Sequence, residues 1–162
     1  MNSIETERKF LVISDEWRSL GTGTRYRQGY LCSGSKRTVR VRTYENSGLL
    51  TIKGPTVGLS RTEYEYEIPF AEAEKMLNDL CEQPLIEKTR YRIMLNNKQW
   101  EVDEFHGANE GLIVAELELA SEDETFERPV WIGREVSHDP RYFNVNLITR
   151  PFSNWDKSRE KL

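Results

Sequence analysis

The feature that most constrains this chain is a set of short segments in which charged and apolar residues alternate with a period of two. Side chains on a strand point alternately to its two faces, so residues of the same parity share a face. In the N-terminal segment Glu5, Glu7 and Lys9 share one face, while Thr6, Arg8 and Phe10 take the other. Arg40 and Arg42 oppose Val39 and Val41, and Thr51 and Lys53 oppose Leu50 and Ile52. Arg61, Glu63 and Glu65 align, with Tyr64, Tyr66 and Ile68 behind them. Lys88 and Arg90 stand against Thr89, Tyr91 and Ile93. Glu101 and Asp103 oppose Trp100 and Val102, and Glu116 and Glu118 oppose Ala115, Leu117 and Leu119.

Segments 4–12, 24–33, 37–45, 48–53, 60–69, 85–96, 98–106 and 111–120 are rich in Val, Ile, Tyr, Thr and Phe. They predict about eight strands. The separators are turn-like (Gly34-Ser35, Asn46-Ser47-Gly48, Gly54-Pro55, Asn96-Asn97, Gly107-Ala108-Asn109), and their shortness favours hairpins and an antiparallel sheet. Three helices are expected: a short turn at 14–20 with Ser14 as N-cap, a helix at 70–81, and one near 139–147. The second places Phe70, Ala73, Leu77 and Leu80 on one face, and the third starts at Asp139 with Pro140 in its first turn. The fold class is therefore mainly β (α+β). At 162 residues the chain is one domain, taken as 1–152, with a polar, frayed tail at 153–162.

An ordinary antiparallel sheet with one wet face also alternates, with its charges in solvent. Two features argue against that here. Some charged faces are mainly acidic and others wholly basic, whereas solvated faces mix signs. The helices also need an apolar sheet face to cover. Closing the strands into an eight-stranded barrel puts the helices outside and the charges in the lumen, where there is room for side chains or one small ligand. The lining would be Glu5, Glu7, Glu63, Glu65, Asp103, Glu116 and Glu118 with Lys9, Arg40, Arg42, Lys53, Arg61, Lys88 and Arg90. Enclosing so many charges is costly unless they are paired or occupied. Metal ions and a polyanion are partners that fit. Clustered carboxylates offer hard oxygens to Mg²⁺ or Mn²⁺, and Arg and Lys suit phosphate oxygens.

A net charge of −4 gives no general attraction to nucleic acid or to an anionic membrane. Glu5, Glu7, Arg8 and Lys9 occupy the place where a signal peptide needs an apolar run, and no stretch approaches the roughly 18 apolar residues of a membrane span. Cys32 and Cys81 form no metal or redox motif, so a reduced, cytoplasmic setting is expected. His106 and His138 are too few for a multi-histidine metal site. In Gly29–Lys36 the lysine comes one position late for a phosphate-binding loop, and the context is a hairpin.

Glu5-x-Glu7-x-Lys9 resembles the signature of the CYTH superfamily, also called triphosphate tunnel metalloenzymes. Arg40-x-Arg42, Thr51-x-Lys53, Glu63-x-Glu65, Glu87-Lys88-x-Arg90, Asp103 and Glu116-x-Glu118 follow in the family's order. The segments RQGYL at 27–31 and DPRYFN at 139–144 are similar to those of its small bacterial members. The resemblance implies an eight-stranded antiparallel tunnel, two divalent ions (Mg²⁺ or Mn²⁺), and a small-molecule substrate carrying a triphosphate. It assigns Lys9, Arg40, Arg42, Lys53, Lys88 and Arg90, with Arg61 less securely, to the phosphates. Glu5, Glu7, Glu63, Glu65, Asp103, Glu116 and Glu118 would hold metals or orient those cations. Tyr30 would border the attacking water beside Lys9 or Lys88, or serve as a wall aromatic. Asp139, Arg141, Tyr142 and Asn144 would close one tunnel end. A homodimer is compatible with this picture. The implied activity is hydrolysis of inorganic tripolyphosphate to pyrophosphate and phosphate. Thiamine triphosphatase, nucleoside triphosphatase and class IV adenylate cyclase are the alternatives within the superfamily. A non-catalytic polyphosphate-binding module is the alternative of another kind.

Overall fold

The computed structural model describes residues 3–156. Its strands are β1 (Ile4–Val12), β2 (Gly23–Gly34), β3 (Arg37–Tyr44), β4 (Ser47–Lys53), β5 (Ser60–Ile68), β6 (Ile86–Leu95), β7 (Lys98–Phe105), β8 (Ile113–Glu118) and β9 (Ile132–Glu135). Pairing is antiparallel throughout, in the order β5-β4-β3-β2-β6-β7-β8-β1-β9, with a further pairing of β5 to β1. That last pairing closes the first eight strands into a ring. At the β6–β7 hairpin Asn96 and Asn97 both take positive φ (49° and 60°). Asparagine tolerates this left-handed conformation better than most residues, and a two-residue hairpin requires it.

β1 holds the ring together. One of its edges pairs with β8 from Glu7 to Leu11. Its other edge is shared, with Ile4–Thr6 on β5 and Phe10 and Val12 on β9. The short ninth strand was not anticipated from the sequence. It has four residues of mixed character, too few to show a period, and it is a strand only because β1 leaves half an edge free.

The expected helices are present in altered form. The first is a single 3₁₀ turn at Glu16–Ser19; Asp15 precedes it without a side-chain cap, and the Ser14 hydroxyl is buried without a partner rather than capping. α1 (Phe70–Asp79) buries Ala73 and Leu77 against β3 and β4, as the periodicity requires. It ends before Leu80, which stands 67% exposed, and Phe70 is also largely exposed at its start. The helix expected at 139–147 is divided into a 3₁₀ turn at Pro140–Tyr142 and a short helix, α2 (Asn146–Thr149). Asp139 does cap the first piece, accepting the Arg141 N–H at 3.1 Å. Extended backbone at Phe143 (φ −73°, ψ 128°) then breaks the run, and Asn144 turns into the ring. Beyond a further turn at Phe152–Asn154, the Trp155 ring packs edge-on against Tyr142 and Phe152 (centroids 5.1 and 5.2 Å apart), so ordered packing continues past Ser153. The rest of the expected polar tail, 157–162, lies outside the described residues.

Apolar packing lies mainly outside the ring and at one of its ends. Phe10, Trp17, Trp100, Leu117 and Trp131 form one cluster behind β1, β7 and β8. Tyr30, Phe105, Val114, Tyr142, Leu147 and Ile148 form a second, where the C-terminal segment meets the ring. The third lies under α1, and helical cover does not extend over β5, where Tyr64 and Tyr66 are exposed. α1 sits close because β4 offers Gly48 there, where an added Cβ would stand 2.8 Å from Ala73 Cβ and 2.9 Å from the Ile68 carbonyl oxygen. Gly48→Val should lower stability by about 1–3 kcal/mol, the usual range for forced overpacking. A fall in the urea midpoint checks this, and an unchanged midpoint would show that the contact is slack.

Candidate active site

The inward face of the ring carries the charges singled out by parity. They line a cavity of about 640 Å³. Glu5, Glu7, Lys9, Tyr30, Arg40, Arg42, Lys53, Arg61, Glu63, Glu65, Lys88, Arg90, Glu116 and Glu118 all face it. Of the residues expected to line it, Asp103 alone is withdrawn into the wall, fully buried behind Lys88 and Arg90. Strand register makes these neighbours: Glu5 stands opposite Arg61, Lys9 opposite Glu116, Lys53 opposite Glu63, and Arg90 opposite Asp103.

One wall is a closely connected network. Asp103 accepts from Arg90 Nε at 2.6 Å, from Arg90 Nη2 at 2.7 Å and from Lys88 Nζ at 2.6 Å. Arg90 continues to Glu116 at 2.8 Å and also meets Glu101. Glu116 pairs with Lys9, which reaches Glu7 at 2.7 Å. Burial opposes ionisation of these carboxyls, but Arg90 and Lys88 overcome it at Asp103, and Lys9 and Arg90 do so at Glu116, so both are held below the usual carboxylate range. Lys9 is likewise penalised by burial, yet Glu116 and Glu7 raise it above an ordinary lysine. Lys88 differs. Burial and the adjacent Arg90 push it down to about 8, despite Asp103.

The opposite wall is short of anions. Arg42 has one carboxylate contact, Glu65 at 3.2 Å, and burial with Arg40 and Arg90 nearby pushes it down to about 10. The Nε atoms of both Arg40 and Arg42 are buried without a hydrogen-bond partner. Lys53 is lowered by burial and by Arg40, although Glu5 (2.9 Å) and Glu63 (2.7 Å) touch it. A polyanion laid along this wall would satisfy groups that the protein leaves unsatisfied.

The mouth has the opposite deficit. Glu118 is exposed there, and its carboxyl is pushed up by partial burial and by the carboxylates of Glu5, Glu63, Glu7 and Glu101. Among the described residues no three acidic, histidine or cysteine side chains already form a metal cage. Glu5 is engaged by Lys53 and Arg61, and Glu7 by Lys9. The donors are hard oxygens and carry surplus negative charge around Glu118, so they fit a divalent cation in chemistry and charge, though not as a finished cage.

Some lining residues escaped the sequence reading. Glu101, which shares the charged face of Asp103 but was left out of the expected lining, faces the cavity, as does Arg92, which has the parity of Lys88 and Arg90 and lies one step further along that face. Tyr26 and Gln28 share the parity of Tyr30 but are fully buried in the wall and do not line the cavity. Asn144 belongs to the expected tunnel-end segment, and its side-chain oxygen accepts from Gln28 at 3.0 Å and from Lys88 at 3.1 Å, joining that segment to the charged wall. His106 bonds Thr89 at 2.8 Å and does not line the cavity.

A ring of eight antiparallel strands enclosing opposed basic and acidic faces defines a polyanion-binding tunnel. Residues 3–152 match the CYTH domain family, and the chain belongs to it. It is 52% identical over 151 residues (93% of this chain, 97% of the relative) to the inorganic triphosphatase of Acetivibrio thermocellus. It is 39% identical over 147 residues (88% and 95%) to the inorganic triphosphatase of Nitrosomonas europaea. Among solved structures it resembles the inorganic triphosphatase NE1496, with a TM-score of 0.62 and 35% identity over 89% of this chain and 93% of that one.

The depressed carboxyls make acid stability a direct test of the network. A carboxyl whose folded-state pKa is lowered contributes stability above its unfolded value, and this is lost as pH falls through the folded value. Urea titrations should therefore show stability falling as pH drops below the ordinary carboxylate range and Glu116 and Asp103 take up protons. Glu116→Gln should be less stable at pH 7 and show a shallower acid slope. An identical slope in the variant would remove Glu116 from the linkage.

Proposed function

We propose that this protein hydrolyses inorganic tripolyphosphate to pyrophosphate and phosphate, using Mg²⁺ or Mn²⁺ near the acidic mouth. The observation that carries the proposal is the paired deficit within one cavity, a wall short of anions facing a mouth short of cations. A metal-loaded triphosphate supplies both. The names of the two relatives support the inorganic substrate and the hydrolytic outcome.

In this proposal Arg40, Arg42, Lys53 and Arg61 take the phosphate oxygens, with the arginines offering two-pronged contacts and the lysine a point charge. Arg90 is locked by Asp103 on one side and Glu116 on the other, so it presents fixed charge with little reorganisation. Asp103 acts as the holder of Lys88 and Arg90, since its oxygens are occupied by them. Glu118, with Glu5, Glu7 and Glu63 around it, is the locus for the cation, and Glu65 and Glu116 orient the basic residues they touch. A divalent ion in that position supplies charge neutralisation and Lewis acidity.

Water attacks a terminal phosphorus, one P–O–P bond breaks, and the leaving pyrophosphate takes the bond's electrons. Lys9 remains an ammonium and stabilises the developing charge. Lys88, pushed down to about 8, can exchange a proton near neutrality. Tyr30 lies within electrostatic reach of Arg40, Arg61 and Lys9, and burial keeps its phenol protonated, so it donates a hydrogen bond to water or phosphate. Cys32 and Cys81 are free thiols, which suits the reducing cytoplasm expected from the sequence.

Phosphate release from tripolyphosphate, ATP and thiamine triphosphate, with Mg²⁺, Mn²⁺ or EDTA, tests the proposal. Tripolyphosphate should be the preferred substrate and EDTA should abolish turnover. Cyclic AMP from ATP with little release from tripolyphosphate would move the activity to a cyclase, and tight binding without turnover would make the protein a binding module. Glu118→Gln removes repulsion from the metal-free protein, so its melting temperature should hold or rise while the Mg²⁺ needed for half-maximal rate increases about 10-fold or more, the usual scale for a lost metal-site group. An unchanged metal requirement would take Glu118 out of the metal site.

A further inference from the structure

Tyr26 occupies an unusual place in this charged wall. It is fully buried and belongs to none of the three apolar clusters. Instead, three guanidinium groups gather at its ring: Arg42 at 5.4 Å from the centroid, Arg90 at 5.8 Å and Arg92 at 6.0 Å. Its hydroxyl accepts from Arg92 Nη2 at 2.8 Å. The ring is stacked on Tyr44, with centroids 4.8 Å apart and planes 22° from parallel, which fixes its orientation.

These three cations come from strands on either side of β2: Arg42 from β3, and Arg90 and Arg92 from β6. They repel one another, and Arg90 contributes to the lowering of Arg42. Carboxylates could gather them: Glu65 and Glu101 each hold part of the set, and Arg90 is already fixed by Asp103 and Glu116. A carboxylate, however, neutralises what it gathers and competes with an incoming phosphate. An aromatic face attracts a guanidinium by its quadrupole, about 0.5–2 kcal/mol for each cation, and carries no net charge.

We propose that Tyr26 is a positioning residue that assembles Arg42 and Arg92 beside the fixed Arg90 into one phosphate-binding surface without adding a negative charge that would compete with the substrate. This rests on the triphosphatase reading of the same cavity. Without the ring face, Arg42 relaxes toward Glu65 and Arg92 toward Glu101, while Arg90 stays fixed by Asp103 and Glu116, and the substrate must gather the two mobile guanidiniums again. The effect then falls on substrate binding more than on the chemical step.

Graded fluorination of the ring separates this role from packing, because each fluorine weakens the quadrupole while nearly preserving shape. Wild type and proteins carrying Phe, 4-fluoro-, 3,5-difluoro- or 3,4,5-trifluorophenylalanine at position 26 are compared for tripolyphosphate KM and kcat at saturating Mg²⁺, and for melting temperature. Tyr26→Phe should raise KM modestly through loss of the Arg92 hydrogen bond. From there KM should climb stepwise with fluorine number to about 10-fold or more, the change expected from weakening several cation–π contacts, with kcat within about twofold. A KM independent of fluorine number across the folded variants overturns the proposal, as does a loss confined to kcat. Tyr26→Leu provides a second measure, with an expected KM loss at least as large as that of the trifluoro ring. A wild-type protein inert toward tripolyphosphate would refute the parent reading, whereas an active wild type with a flat fluorine series would refute only the role of Tyr26.

Discussion

The buried chain of charges from Lys9 through Glu116, Arg90 and Asp103 to Lys88 is the interaction on which the rest of the structure depends. Taking such groups out of water costs several kcal/mol per ion, and the cost is offset only when each charge is held by partners in good geometry. The closed ring supplies that geometry. Because Lys9 stands opposite Glu116 and Arg90 opposite Asp103, strand register and ion pairing specify each other. A slip of one residue would turn every pair outward and bring Phe10 and Leu117 inward.

Within this frame the lumen is divided. The Asp103 wall is internally balanced, the Arg40–Arg42–Lys53 wall is short of anions, and the mouth around Glu118 is short of cations. The balanced part keeps its shape by itself and the two unbalanced parts are where ligand charge has work to do. Asn144 links the balanced wall to the C-terminal segment, and Gln28 joins through the same amide oxygen. Closing that end of the ring and orienting Lys88 are thus one arrangement.

Parity was sufficient to find most of the charged lining because the inward-facing strand residues of a closed ring obey a single alternation. It failed where parity is blind. Asp103 has the inward parity but is covered by the longer side chains of Lys88 and Arg90, and side-chain length is not encoded in period. Glu101 had been placed on the charged face beside Asp103 and Arg92 has the parity of Lys88 and Arg90, but neither was counted in the lining. Tyr26 reads as an ordinary strand aromatic, and its role depends on cations brought from two neighbouring strands. The helices were harder. Ser14 and the 139–147 run have the composition of helix starts, but tertiary demands prevailed: Phe143 is extended so that Asn144 can reach Lys88. β9 owes its existence to the free half-edge of β1, which no local sequence reveals.

The shared edge of β1 also bears on how the protein is made. β1 is made before every other strand of the ring, yet the residues it pairs with in β8 lie far ahead in the sequence, Lys9 and Glu116 being 107 positions apart. The ring cannot close until most of the chain has been synthesised. Until then the edge of β1 that will meet β8 is unpaired, the kind of edge that recruits other chains. Its alternating Glu5, Glu7 and Lys9 set charges along that strand, the pattern by which charged residues discourage association. The residues that later face the cavity would thus first serve the nascent chain, keeping it solitary until its partners arrive.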